Sequence, residues 1–319
     1  MAITLAQAKV GMADKVAQSV IDEFRRESFI LDRLTFDNAV SPGTGGSTLT
    51  YGYVQLKTPS TAGGRAINTE YTANEAIKEK KTTDLKIFGG AFEIDRVLEN
   101  TAATSEISFQ LEEKIKATRN DFHNLFINGD SANQPLDFDG VDKLVTGSST
   151  DITVTGGIDV STLAKIKANG DQVVFYLNEL ISKLAEKPDM LLMNTRMYNV
   201  MNMVAYYMGY KTESEDAFGR KVDGFNNIPM IDMGQFYNGT NSVDVIGTDG
   251  TEGTTVIYPV KLGLNALHGV SPTGNKVIST YLPDMNEPGA VKRGEVELVC
   301  GLALKNSLMA GALRGIKVA

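Results

Sequence analysis

Cys300, His123 and His268 are the only cysteine and histidines in this 319-residue chain. A lone cysteine can make no internal disulfide and no CxxC redox or zinc site. Cys300 lies in the apolar run Val296-Glu-Leu-Val-Cys-Gly-Leu302, where a free thiol behaves as a small hydrophobe. His123 falls within a helical pattern, Asn120-Asp-Phe-His-Asn-Leu-Phe126, and His268 within Asn265-Ala-Leu-His-Gly269. Neither belongs to an HExxH arrangement, so both are read as structural and no metal site is expected. The string Gly269-Val-Ser-Pro-Thr-Gly274 has the wrong spacing for a nucleophile elbow. Pro42-Gly-Thr-Gly-Gly-Ser-Thr48 lacks the lysine of a phosphate loop and reads as a flexible connection.

The carboxylates fare no better. Asp137-Phe-Asp-Gly-Val-Asp142 puts three acids close together, but the twelfth position of a calcium loop would fall on Ser148. A turn with solvated acids is the expectation. Glu112 and Glu113 are helix neighbours that diverge by about 100°. Glu295 and Glu297 share a strand face, which is read as a solvated outer face. No catalytic residue and no cofactor are therefore expected.

Composition narrows the class. Apolar residues make up 42% and charged residues 22%, ordinary values for a globular chain with a sizeable core. The length suggests about two domains. Lys plus Arg is 31 against 39 Asp plus Glu, a net charge of −8 that argues against a dominant basic nucleic-acid footprint. No run of about 18 apolar residues exists, so no spanning helix and no membrane partner are expected. The first residues have no basic region followed by a long apolar one, so a secretory signal is not expected. Asn238-Gly-Thr240 is a formal glycosylation sequon, without meaning in a chain that is not secreted.

The elements follow from the periodicity. Val16, Val20 and Phe24 recur at helical spacing and predict an amphipathic amino-terminal helix, docked on the core or on another subunit. Ser47–Lys57 alternates as a strand with Leu49, Tyr51, Tyr53 and Gln55 on one face, and a second extended run covers 80–89. Together they predict a long hairpin with little apolar payload. An isolated hairpin is marginal in water, so it must be mobile or rest on something else, with a neighbouring chain the natural candidate. A long helix is predicted over 104–128, about 36 Å at 1.5 Å per residue. Its apolar face is Ile107, Leu111, Ile115, Phe122, Leu125 and Phe126, widened by Phe109 and Ala117. Beyond 150 helices and short strands alternate. The methionines at 190, 193, 197, 201, 203 and 208 have the spacing of core filler, with an adaptable groove as the alternative. The last 30 residues are strand-like.

In this order the elements resemble the major capsid protein of tailed bacteriophages with the HK97 fold. The resemblance is carried by Lys86-Ile-Phe-Gly-Gly-Ala-Phe-Glu-Ile94, the helix over 104–128, Pro135-Leu-Asp-Phe-Asp-Gly-Val141 and Ile181–Asn194. Phe218-Gly-Arg-Lys-Val222, Asn227-Ile-Pro-Met-Ile231 and the ending Gly294–Leu304 to Arg314–Val318 add to it. Each string alone is weak, and their order over nearly the whole chain is what makes them specific.

The resemblance implies an α+β, HK97-like capsid fold. Its parts would be an N-terminal arm (1–45), an extended E-loop hairpin (46–88), a P-domain with a spine helix (89–150), an inserted A-domain (151–288) and closing P-domain strands (289–319). It implies a shell subunit, not an enzyme, that assembles as pentamers and hexamers into an icosahedral shell around double-stranded DNA. The place would be the virion, and the host cytoplasm before assembly. Candidate inter-subunit contacts are Val16, Val20 and Phe24 on the arm, with Tyr51, Tyr53, Lys57, Arg65, Glu70, Glu75 and Lys80 on the hairpin. Only about 45 residues precede the hairpin, so a separate scaffolding protein is expected, together with a portal. Lys57, Lys78, Lys80 and Lys81 lie where some relatives crosslink, but no partner asparagine can be mapped, and a lysine run is ordinarily a solvated face. The acidic balance implies weak, non-specific contact with packaged DNA. An encapsulin-like nanocompartment shares this fold, and the long polar segment 58–85 favours the phage. A hydrolase or transferase built on paired acids is the reading from another class.

Overall fold

A computed structural model describes residues 30, 33–38, 49–101, 106–215, 221–273 and 277–319. In chain order its strands are β1 (Phe36–Asn38), β2 (Thr50–Thr58), β3 (Ile77–Asp84), β4 (Lys86–Asp95), β5 (Asp151–Asp159) and β6 (Met190–Met193). Then follow β7 (Lys211–Glu215), β8 (Lys221–Phe225), β9 (Ile228–Asp232), β10 (Gln235–Tyr237) and β11 (Ser242–Asp244). The last are β12 (Thr254–Val260), β13 (Leu267–Ser271), β14 (Ile278–Tyr281), β15 (Val291–Leu304) and β16 (Ala312–Lys317).

The first sheet is organised on β15. Its first ten residues pair antiparallel with β4, from Val291 opposite Asp95 to Cys300 opposite Lys86. β14 pairs on the other side of the same stretch, and the far end of β15 pairs with β13, which carries β1 in parallel. The long helix Glu106–Asn128 packs on β4 and β15. It buries Leu111, Ile115, Thr118, Phe122, Leu125 and Phe126, a stripe at i, i+4, i+7 and i+11. Phe109 is 55% exposed and Ala117 is also exposed, which corrects the wider face expected for this helix. Each lies about 200° round from a stripe residue two positions away. Thr118 joins the buried stripe because its hydroxyl donates to the Lys114 carbonyl at 2.8 Å.

The second sheet has the order β5-β16-β12-β6-β9-β8-β7. Helices Leu163–Lys183 and Thr195–Tyr207 cover one of its faces. Asn194 caps the second of them by accepting the Met197 N–H at 2.7 Å, and its own amide donates to the Thr255 hydroxyl. Strand β6 shows why its sequence is a continuous apolar run. Leu191 and Met193 enter the core under those helices, while Met190 and Leu192 enter the core of the first sheet. Met197 and Met201 are also fully buried, so the methionine series fills the core rather than lining a groove.

Sheet membership cuts the chain differently from the expected boundaries. β13 and β14, inside 151–288, belong to the first sheet, and β16, inside 289–319, belongs to the second. The closing segment therefore ties the two sheets together. β3 ends at Asp84 and β4 begins at Lys86; between them Leu85 is buried, and its N–H donates to the Leu49 carbonyl at 2.7 Å at the foot of the hairpin.

The Asp137–Asp142 segment is a packed joint and not a solvated turn. Phe138 is buried against Phe88 and Phe122, with ring centroids 6.0 and 6.1 Å away. Gly140 donates its N–H to the Gly129 carbonyl, and a Cβ on Gly140 would lie 2.6 Å from the Leu125 and Ile127 carbonyls. Only glycine permits that approach to the helix end. Asp139 accepts from the Ser131 N–H and hydroxyl. Asp142 accepts from the Tyr258 hydroxyl at 2.8 Å and from Arg314 at 2.5 Å, while Arg314 Nε reaches Asp151 at 2.7 Å.

Candidate assembly surface

Strands β2 and β3 form a two-stranded hairpin that pairs with no other strand among the described residues, in the register Tyr51–Thr83, Tyr53–Lys81, Leu56–Lys78. Alternation sends Tyr51, Tyr53 and Gln55 to one face, as the sequence pattern requires. That face rests on the chain's own first sheet. Tyr51 Oη donates to the Asp37 carboxylate at 2.6 Å, and Tyr53 Oη donates to the Leu304 carbonyl at 3.1 Å. Gln55 Nε2 donates to the carbonyls of Leu304 and Lys305 at 3.0 and 2.7 Å. The Tyr51 ring meets His268 edge-on at 5.8 Å, and Lys305 Nζ sits 5.5 Å from its centroid. Beneath them Leu85, Val270 and Ala303 make a small apolar cluster. The contacts seen for Tyr51 and Tyr53 are thus within the subunit. They anchor the hairpin's root.

The electrostatics agree with that role. The Tyr51 hydrogen bond, helped by the Asn38 N–H and Lys305, holds the Asp37 carboxyl below its ordinary range against the opposing effect of burial. Burial, then Asp37, push the Tyr51 phenol far up, so it stays a donor. Burial, then Lys305, push His268 down, keeping it neutral.

The opposite face carries Val54 and Leu56, 64% and 60% exposed, with Lys80 and Lys78 directly across the strand pair. Beyond Gln55 nothing on the hairpin is buried through Thr82. The tip, 59–76, has local order only. Arg65 donates to the Thr69 carbonyl at 3.2 Å and lies 5.4 Å from the Tyr71 ring centroid, and Thr61 and Asn74 bond across the loop. Lys57 pairs loosely with Glu79 at 3.7 Å. Glu70, Glu75 and Lys80 are exposed and make no ion pair among the described residues. Ile67, Tyr71 and Ile77 are exposed at 90%, 66% and 53%. An apolar row edged with lysines, on an element with no core of its own, has the character of an interaction surface. Val16, Val20 and Phe24 lie outside the described residues.

A cavity of about 400 Å³ opens where the hairpin root meets the body, lined by Tyr53, Lys81, Asp84, Lys86, Asp139 and Lys143 among others. Lys86 is engaged with the Pro135 carbonyl and Lys143 with Asp130. The other residues singled out for chemistry are engaged structurally. Burial, then Arg119, push His123 down to about 4. Cys300 is fully buried, which pushes its thiol up and away from thiolate chemistry. Glu295 lies against Arg293 at 2.9 Å. Among the described residues no cluster of acids, histidine and cysteine could hold a metal ion.

Sequence reasoning missed the partners that hold the hairpin down. Asp37, Lys305 and His268 come from three separate segments, and no spacing rule joins them. Arg314 and Tyr258 were missed for the same reason. Gln55 was placed on the correct face by alternation alone.

No protein-family model and no curated protein matches this sequence. Solved structures do. The holo-SrpI encapsulin complex from Synechococcus elongatus PCC 7942 is similar at a TM-score of 0.62 and 14% identity, over 91% of this chain and 88% of that one. The capsid of a native GTA particle gives 0.60 and 10%, over 90% and 89%. The capsid of Myoviridae phage XM1 gives 0.57 and 13%, over 90% and 91%.

Proposed function

We propose that this chain, whose HK97-like capsid fold is shared with those shells over nine-tenths of its length, is the major capsid protein of a tailed bacteriophage. Copies would form pentamers and hexamers and close into an icosahedral shell around double-stranded DNA. In this reading β2 and β3 with the tip are the E-loop, the first sheet with the long helix is the P-domain, and the second sheet with its helices is the A-domain. A scaffolding protein and a portal would be its assembly partners. The role is structural, not enzymatic.

The observation that carries the reading is the hairpin. It is rooted on its own subunit by Tyr51, Tyr53 and Gln55, and it exposes Val54, Leu56, Ile67 and Tyr71 on an arm with none of the described residues packed over them. An adjacent subunit supplies what is missing. Lys57, Arg65, Glu70, Glu75 and Lys80 are then inter-subunit residues, with the arm residues Val16, Val20 and Phe24. Contact with DNA would be weak, since a net charge of −8 offers little counterion release. Strong, salt-sensitive DNA binding by isolated capsomers argues against that part.

The similarity to an encapsulin supports a second reading, a cellular nanocompartment. Negative-stain microscopy and light scattering of the purified chain test both. Shells, or rings of five and six, are expected. A chain that stays monomeric at high concentration refutes shell formation, and a protein cargo without nucleic acid inside the particles selects the encapsulin.

A further inference from the structure

Three Asn-Gly pairs occur in the chain, at 128–129, 169–170 and 238–239. Asn-Gly is the dipeptide in which a side-chain amide is most open to attack by the next backbone nitrogen, because glycine has no Cβ to hinder ring closure. The structure treats the three pairs differently. Asn128 Nδ2 donates to Asn124 Oδ1 and to the Val245 carbonyl, and the Gly129 N–H is tied to the Leu125 carbonyl at 3.0 Å. Asn169 Nδ2 donates to the Asp159 carbonyl at 2.8 Å, and Gly170 is buried inside helix Leu163–Lys183. Asn238 is exposed in the turn between β10 and β11. Its Nδ2 and the Gly239 N–H have no hydrogen-bond partner among the described residues, and Gly239 has φ +92°.

One further feature singles out Asn238. Its Oδ1 accepts the N–H groups of Thr240 and Asn241 at 3.0 and 2.9 Å. Two backbone donors on that oxygen draw charge from Cγ and stabilise the oxyanion that forms when Cγ is attacked. Nucleophile, electrophile and oxyanion donors thus lie within four consecutive residues of one turn.

We propose that Asn238 is a self-modification site at which the chain deamidates. The Gly239 nitrogen attacks Asn238 Cγ, a C–N bond forms, and the C–Nδ2 bond breaks. The backbone proton leaves with Nδ2 as ammonia. Water then opens the resulting succinimide at either carbonyl, which gives aspartate or isoaspartate. Each event adds one negative charge, and isoaspartate adds a methylene to the backbone of the β10–β11 turn. The same Asn-Gly-Thr that is formally a glycosylation sequon is in this reading a site of slow acid formation. The inference does not depend on the shell-forming role.

The test is peptide mapping of the full-length chain held folded at mildly alkaline pH over weeks. The peptide with Asn238 is expected to gain about one dalton and to split into aspartate and isoaspartate forms about tenfold faster than those with Asn128 or Asn169. Unfolding the chain in denaturant should remove the difference between the three. An Asn238→Gln variant should release correspondingly less ammonia, because its ring closure is slower. A folded chain in which Asn238 converts no faster than Asn128 and Asn169 overturns the proposal.

Discussion

Replacing Tyr51 with phenylalanine removes one hydroxyl from the hairpin root and leaves the ring. The lost bond, Tyr51 Oη to the Asp37 carboxylate at 2.6 Å, is a hydrogen bond to a charged acceptor in a half-buried place. Such bonds contribute about 1.5–3 kcal/mol when well shielded. Partial exposure places this one at the lower end, about 1.5 kcal/mol. The edge contact with His268 survives, and so do the bonds of Tyr53 and Gln55 to Leu304 and Lys305. The hairpin should therefore lift from the first sheet about ten times more often, without being released outright. Hydrogen exchange read by mass spectrometry on the unassembled chain resolves this by segment. Peptides covering β2 and β3 should exchange about tenfold faster in Tyr51→Phe, while those covering β4 and β15 keep their protection. Unchanged protection in β2 and β3 refutes the anchoring argument. Equal loss in β4 and β15 refutes it in another way, since the root would then be part of the global core. The pH adds a second check with a definite sign. Asp37 has its carboxyl lowered from 3.8 in the folded state. Its stabilisation is fully present above about pH 3.8 and is lost as pH falls through the lower folded value. Wild type and Tyr51→Phe should converge there.

Three other perturbations probe the remaining links. Deleting 59–76 and closing β2 to β3 with a short turn should leave the unfolding midpoint of the subunit nearly unchanged, because the tip buries nothing, while light scattering finds no shells; a globally unfolded product refutes the assignment of the tip as an assembly arm. His123 titrates at about 4 when folded against about 6.5 when unfolded. The unfolded chain therefore binds the proton first, and stability should fall by roughly 3 kcal/mol as pH drops from 6.5 to 4; chemical denaturation across that range should show the slope in wild type and lose it in His123→Gln. Arg314→Leu leaves Asp142 and Asp151 facing each other without their shared cation. Breaking a fully buried ion pair costs about 3–5 kcal/mol, and partial exposure of Arg314 reduces this to about 2 kcal/mol; an urea midpoint unchanged from wild type, or no partial rescue by adding Asp142→Asn, counts against a linking role.

What the sequence made legible follows from what local physics can encode. The helix Glu106–Asn128 and the strand Met190–Met193 were visible because burial of one stripe, or of both faces, writes a period or an unbroken run into the residues. The inward face of β2 was visible through the alternation of Tyr51, Tyr53 and Gln55. The misjudgement of Phe109 is equally physical. A large apolar residue on a helix ordinarily counts toward the core, and only the packed sheet decides which side of the helix is covered. Long-range pairing was not legible. The strands β13 and β14 precede β15 closely, yet the join of β15 to β4 spans about 200 residues and no local rule reports it.

The same limit explains why the hairpin was half understood from its residues. The small apolar payload of the hairpin predicts an element that is mobile or rests on something else, and a neighbouring chain was the natural support to name. The structure divides that support in two. The first two-thirds of β2 is satisfied at home, where backbone carbonyls of Leu304 and Lys305 accept from Tyr53 and Gln55. Carbonyls at the end of a strand still need donors, and side chains from β2 supply them. Beyond Gln55 no residue through Thr82 is buried, and Leu56, Ile67 and Tyr71 are exposed there among the described residues. A rooted base with an uncommitted arm fixes the direction of reach before any partner arrives. Fewer degrees of freedom are then lost when the arm is covered. Under the proposed shell-forming role, that division of labour would make a marginal hairpin a directed contact, with residues 56–80 rather than the tyrosines that the alternation made most visible as its outward part.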